Sequence, residues 1–242
     1  MGNVDRGTIR VLGLDHEADD VEMKRRVGYV SPELSFTVWT TIKKSIQFVR
    51  GFYPTWDDDY CVHLMNAFKL SLDDKIATLS FGARTKLSLL LALSHRPEVL
   101  ILDEPTTGLD AVSKQQVFSE LLAAVKDGDH TALISSHGLA DLERFTDHIG
   151  LIKDGTLLLE GRTDEVVERH RMVDFEAPPQ VTFKDSEGFT VVEHQANRWR
   201  ALFDQTLGGL ERIKSSGANE LTTSPVTLED LFVALVKEKE AA

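Results

Sequence analysis

Apolar residues recur along this chain at two spacings, which sort it into short strands and amphipathic helices. Thr8-Ile9-Arg10-Val11-Leu12, set between Gly7 and Gly13, alternates apolar and polar residues and predicts a short strand. Val21 to Arg26 has the length of one or two helical turns, and Val27-Gly28-Tyr29-Val30 reads as a buried strand. Ala83 to Arg96 predicts a helix with Leu87, Leu90, Leu91 and Ser94 on one face and Pro97 ending it. Val99-Leu100-Ile101-Leu102 is too short and too uniformly apolar for an amphipathic helix, so it predicts a strand buried on both faces of a parallel sheet. A helix over Ser113–Val125, a turn at Asp127-Gly128-Asp129, a strand at Thr131–Ser135 and a helix over Leu139–Phe145 follow. Next comes a hairpin, Ile149–Ile152 and Thr156–Leu159, about Lys153-Asp154-Gly155. Strand–helix–strand alternation of this kind predicts an α/β sheet with right-handed crossovers. Beyond Ala177-Pro178-Pro179 the pattern gives a small β-rich segment, Gln180–Phe203, and a last helix opened by Thr227 with Asp230 three residues on. Leu228, Leu231, Phe232 and Leu235 form that helix's apolar stripe, a docking face.

Composition narrows the function classes. A length of 242 residues with 42% hydrophobic content allows one sizeable domain plus an appendage, or two small ones, and excludes wholesale disorder. Lys and Arg total 27 against 39 Asp and Glu, a net charge of −12, which disfavours nucleic acid as a partner. A single cysteine, Cys61, excludes an intrachain disulfide and a cysteine-built metal site. The first residues lack the apolar core of a signal peptide, and no run approaches the roughly 18 apolar residues that span a bilayer. These features predict a cytoplasmic protein, held at a membrane by a partner if at all. Between Tyr29 and Tyr60 lie all three tyrosines, Trp39, Trp56, Phe36, Phe48 and Phe52. That cluster is either the core of a helical insert or a groove for a partner's helix, and the residues alone leave both open.

Candidate chemistry centres on Leu100-Ile101-Leu102-Asp103-Glu104-Pro105. Two carboxylates at the end of a buried parallel strand sit where α/β sheets place their ligand crevice. Adjacent strand residues point to opposite sides, so Asp103 can anchor Mg²⁺ while Glu104 orients and deprotonates an attacking water. Taken alone, such a pair is commonly just solvated charge; its neighbours change that. Ser80, in Leu79-Ser80-Phe81-Gly82, can cap the following helix and present free N–H groups to a phosphate. His137, in Ser135-Ser136-His137, ends the next strand and can hydrogen-bond a terminal phosphate. Asp110, in Thr107-Gly108-Leu109-Asp110, follows the acids in a tight turn and can equally serve as a helix cap.

In their order and spacing, Leu79-Ser80-Phe81-Gly82, Leu102-Asp103-Glu104-Pro105, Gly108-Leu109-Asp110 and Ser136-His137 resemble the signature motif, Walker B segment, D-loop and H-loop of the ATP-binding-cassette ATPases. The resemblance runs from about Gly7 to Gly161, and the segments Phe52-Tyr53-Pro54-Thr55-Trp56-Asp57 and Leu228-Glu229-Asp230-Leu231-Phe232 are similar to a bacterial exporter subgroup. It implies a partial P-loop NTPase-like parallel sheet with a helical insert and a small C-terminal extension. The cassette part would span residues 1–172, with the helical signature region at about 33–96 and an accessory segment at 173–242. It further implies ATP and Mg²⁺ as ligands, a second cassette subunit and a membrane permease as partners, and a place on the inner face of the cell membrane. Two cassettes would sandwich nucleotide head to tail, with Ser80, Phe81 and Gly82 reaching the terminal phosphate in trans and Asp110 communicating across the interface. Asp103 would hold the metal, and Glu104 and His137 would be catalytic.

The sequence departs from that family at three places. The phosphate loop G-x-x-x-x-G-K-[ST] occurs nowhere, and no Gly-Lys dipeptide exists in the chain. Family members carry that loop, with its strand and helix, upstream of the region matched by Gly7. Its lack predicts an inactive chain as it stands, with unpaired edges on the Asp103 strand. Two explanations compete: Met1 is an internal residue of a longer ATPase, or the chain is a non-catalytic structural or regulatory subunit. The intact downstream set favours the first, which predicts an in-frame phosphate loop encoded ahead of Met1. Pro32 and Glu33 stand where the family carries glutamine, which passes a metal-sensing role to Glu33 if it survives. Phe81 replaces the first glycine of the signature and Ala83 its glutamine.

Overall fold

A computed structural model describes residues 6–33, 38–126, 130–186 and 188–241. The turn expected at 127–129 and the aromatic residue Phe36 lie outside them. The chain divides into two compact units, residues 1–137 and 138–242.

The first unit opens with β1 (Arg10–Val11) and β2 (Leu14–Asp15), two-residue strands joined by Leu12 and Gly13 at φ 55° and 78°. A tight hairpin therefore replaces the single strand expected at 8–12, because the left-handed pair turns the chain before a longer ladder can form. Next come α1 (Asp20–Arg26), β3 (Val27–Val30), α2 (Ile42–Arg50), α3 (Asp58–Phe68), a one-turn helix at Ile76–Thr78, α4 (Phe81–Leu93), β4 (Val99–Asp103), α5 (Ala111–Val125) and β5 (Thr131–Ser135). Strands β3, β4 and β5 form a parallel sheet in that order, with Tyr29, Ile101 and Leu133 in register across it.

The two faces of this sheet differ. Val30, Leu100 and Leu102 are buried on the same face as Gly28, where α4 approaches β3 so closely that a Cβ on Gly28 would stand 3.0 Å from the Ala92 carbonyl oxygen. On the other face Tyr29 is 45% and Leu133 64% exposed. The expected burial of Val99–Leu102 on both faces is thus corrected: Leu100 and Leu102 are buried, Val99 and Ile101 only partly. The expectation of open edges on the Asp103 strand is corrected too. β4 is the central strand, paired on both sides, and among the described residues the open edges belong to β3 and β5.

The second unit contains α6 (Leu139–Phe145), the hairpin β6 (His148–Lys153) and β7 (Thr156–Arg162), α7 (Thr163–Arg169), β8 (His170–Glu176), β9 (Phe189–Gln195), β10 (Arg198–Asp204), α8 (Gly209–Ser215), β11 (Asn219–Pro225) and α9 (Leu228–Ala241). Its antiparallel sheet runs β11-β8-β10-β9 and alternates its side chains between two cores. Met172 and Leu202 join Ile149, Leu151, Leu228 and Leu231 in one; Val173, Ala201 and Phe203 join Phe175, Phe189 and Trp199 in the other. The stripe of α9 is docked in the first of these, and Thr227 and Asp230 cap the helix reciprocally, through Thr227 N–H to Asp230 Oδ2 at 2.9 Å and Asp230 N–H to Thr227 Oγ1 at 3.2 Å. The expected boundary at 172/173 falls within β8, and the compact units divide at His137/Gly138.

Candidate active site

The site is built at the carboxyl end of β4. Asp103 is exposed there, opposite Ser135 of β5, whose hydroxyl donates to Asp103 Oδ1. The next residue, Glu104, has φ 47°, an unusual left-handed backbone for a side-chain-bearing residue. That kink ends the strand, while the Glu104 N–H still donates to the Ser135 carbonyl at 3.0 Å. The carboxylate is thereby turned into a ring of donors. His137 gives its backbone N–H at 3.0 Å and its Nδ1 at 2.8 Å to Oε1, and the Thr107 hydroxyl gives to Oε2 at 3.0 Å. An ionised carboxylate can only accept, so the proton of this bond sits on His137 Nδ1, and Nε2 lies outside it. The His137 side chain is 83% exposed, so the dyad faces solvent.

A cavity of about 80 Å³ opens beside the acids, lined by Val30 at the end of β3, Ser31 and Pro32 after it, Phe81 and Arg84 on α4, and Asp103 and Glu104. Ser80 caps α4, its Oγ accepting the Ala83 N–H at 3.2 Å. Gly82 backs onto the turn after the acids, where a Cβ would stand 3.0 Å from both the Gly108 oxygen and Leu109 Cδ2. Asp110 caps α5 through the Ser113 N–H at 2.9 Å and takes the Ser113 hydroxyl as well, and these bonds hold its carboxyl below the usual carboxylate range. Glu33 is exposed, with its N–H on Ser31 Oγ, and is not part of the cavity wall.

Of the residues singled out in the sequence, Asp103, Glu104 and His137 are therefore brought together, and Phe81 lines the cavity with Asp103 and Glu104. Gly82 packs against the 108–109 segment of the turn that ends at Asp110, and Glu33 stays apart. Sequence reasoning missed the parts played by Thr107 and Ser135, which orient the two acids. The signal available was a hydroxyl residue three places after Glu104 and another directly opposite Asp103.

Asp103 offers an exposed carboxylate, which fits a Mg²⁺ ion that completes its shell with water and phosphate oxygens. The cavity is far smaller than the roughly 300–1,000 Å³ of typical ligand pockets. A nucleotide would thus need the phosphate cradle that this sequence does not contain.

Residues 1–107 match the model of the ABC transporter family. The ABC transporter ATP-binding protein YtrB of Bacillus subtilis is 30% identical over 235 residues, covering 95% of this chain and 79% of that protein. The bacitracin transport ATP-binding protein BcrA of Bacillus licheniformis is 29% identical over 167 residues, 68% of this chain and 55% of BcrA. Among solved structures, the ATP-binding subunit of an ABC transporter superposes with a TM-score of 0.61 at 22% identity, over 68% of this chain and 70% of that one. The post-hydrolysis dimer of the cassette MJ0796, bound to ADP and Pi, gives 0.55 at 18% identity, over 66% and 74%. Identity at that level speaks for the fold, and the YtrB match carries the family: this chain belongs to the ATP-binding proteins of ABC transporters.

Proposed function

We propose that this chain is the ATP-hydrolysing subunit of an ABC exporter, working with a second cassette subunit and a membrane permease on the cytoplasmic face of the membrane. The observation that carries this reading is the Glu104 carboxylate, turned out of the strand and fixed by Thr107 and His137. Glu104 accepts a proton from the attacking water, and Thr107 keeps Oε2 aimed while it does so. His137 Nε2, free of the Glu104 contact, is the atom available to a phosphate hydroxyl or to water. Asp103, steadied by Ser135, would hold Mg²⁺, which supplies charge neutralisation at the transferred phosphoryl group. Ser80 and Gly82 present the α4 tip to a phosphate in trans. A non-catalytic role would leave an oriented carboxylate on a costly backbone with no use.

Different parts of the aromatic cluster support the two readings. Tyr60 is core and Tyr53 stacks on His95 at 3.9 Å, whereas Trp39, Phe48 and Phe52 form a ladder with centroid spacings of 5.3 and 5.1 Å. Phe48 and Phe52 are more than half exposed, and this ridge is where a permease helix would dock. The missing phosphate loop has a natural berth as well. A parallel strand added to the open edge of β5 would deliver its loop beside Asp103, Glu104 and His137, whether it precedes Met1 in the same polypeptide or belongs to another.

Glu104→Gln in the assembled transporter tests the reading. ATP binding should persist while turnover falls about 10²-fold or more, the usual loss when a general base is removed. Turnover within a factor of two of the parent would sink it.

A further inference from the structure

The tip of α4 and the turn that carries Asp110 are fastened at more points than packing requires. The Phe81 ring lies over Gly108, at φ 74°, so closely that a Cβ there would sit 2.3 Å from Cδ1. Gly82 rests on the Gly108 oxygen and Leu109. Four residues along the same helix face, Lys86 reaches the far end of the turn. Its Nζ donates to Ser113 Oγ at 2.8 Å, and that hydroxyl donates to Asp110 Oδ2 at 2.9 Å. Asp110 Oδ1 takes the Ser113 N–H at 2.9 Å. An ammonium can only donate and a carboxylate only accept, so the relay has one consistent proton arrangement, pointing from Lys86 to Asp110. Ser113 is buried and Lys86 half-buried, so water competes weakly for the middle link.

A cap for α5 needs only Asp110 and the Ser113 N–H. The lysine is extra to it. We propose that Lys86 and Ser113 are positioning residues that lock the signature tip, Ser80–Gly82, and Asp110 into one body, so both meet the partner cassette's nucleotide together. The proposal rests on the hydrolytic reading above. It explains why Phe81 is tolerated where the family carries glycine: its ring adds a second fastening to the same block.

The test is steady-state ATP hydrolysis by the assembled transporter carrying variants of this chain. Lys86→Met should lower kcat about tenfold with KM for ATP within about twofold, since one hydrogen-bonded orienting contact is lost and nucleotide binding is untouched. Lys86→Arg, which keeps the donor and the charge, should restore most of that loss. Ser113→Ala should match Lys86→Met, and the double variant should be no worse than either, because both break the same relay. Amide exchange of residues 107–114 in the chain itself should quicken in Lys86→Met, a readout that does not depend on activity. Full-speed Lys86→Met beside a dead Glu104→Gln, or single losses that multiply in the double variant, would overturn the lock alone. Were Glu104→Gln also at full speed, the hydrolytic reading would fall and the lock with it.

Discussion

Among single residues, His95 shows how burial sets a charge state. It is 1% exposed, its ring stacks on Tyr53 at 3.9 Å, and its Nδ1 has no hydrogen-bond partner. Desolvation therefore pushes its pKa down from 6.5 to about 4. A depressed histidine pKa means that between those values the unfolded chain binds a proton that the folded chain does not. Stability is full above pH 6.5 and is lost as pH falls toward 4, by about 3 kcal/mol at most. Denaturant unfolding at pH 7 and pH 5 should show this as a loss that His95→Phe largely removes; an equal pH dependence in both proteins would contradict it. The same residue scale held the chemistry most open to prediction from sequence. Asp103, Glu104 and His137 stand at ends of strands that their apolar runs announce. The left-handed turn at Glu104 was not visible, because nothing in a glutamate asks for φ 47°; it comes from the hydrogen bonds that Ser135 and His137 impose on either side.

At the level of elements, most strands and helices follow from local pattern, and the misses occur where a distant residue decides. The apolar spacing puts the start of α4 near Ala83, while the Ser80 cap lets it begin at Phe81. Placing Phe81 on the helix throws its ring across the chain onto Gly108, a contact between residues too far apart for any periodicity to report. Gly108 consequently has two reasons to be glycine, its φ of 74° and the ring above it. Gly108→Ala should cost about 3 kcal/mol, summing left-handed strain and overpacking. In a Phe81→Gly background, which restores the family's residue, the cost should shrink to about 1 kcal/mol, the backbone part alone. Equal costs in the two backgrounds, measured by urea unfolding, would show that the ring does not press on the turn.

For the molecule as a whole, the sequence announced an α/β unit followed by a β-rich one, but not which surfaces stay open, since the cover on a sheet face comes from elsewhere in space. Val99–Leu102 is as apolar as a doubly buried strand, and in the first unit only Leu100 and Leu102 are fully covered. A partly uncovered apolar face on a parallel sheet is uncommon, because crossover helices normally bury both sides. Leu133, 64% exposed on an edge strand and in register with Tyr29 and Ile101, is the residue that a phosphate-loop strand and its helix would cover under the berth proposed above. Two substitutions separate a face awaiting cover from one that is simply exposed. In this chain alone, Leu133→Asn should change stability by no more than about 0.5 kcal/mol, the usual surface value. Leu100→Ala, on the face beneath α4, should cost about 2–5 kcal/mol. When a phosphate-loop segment from a family relative is joined ahead of Met1, Leu133 becomes core, and Leu133→Asn should then cost more than about 2 kcal/mol. If the cost at Leu133 stays small in the extended protein, the added strand docks elsewhere, and the open edge of β5 is not its berth.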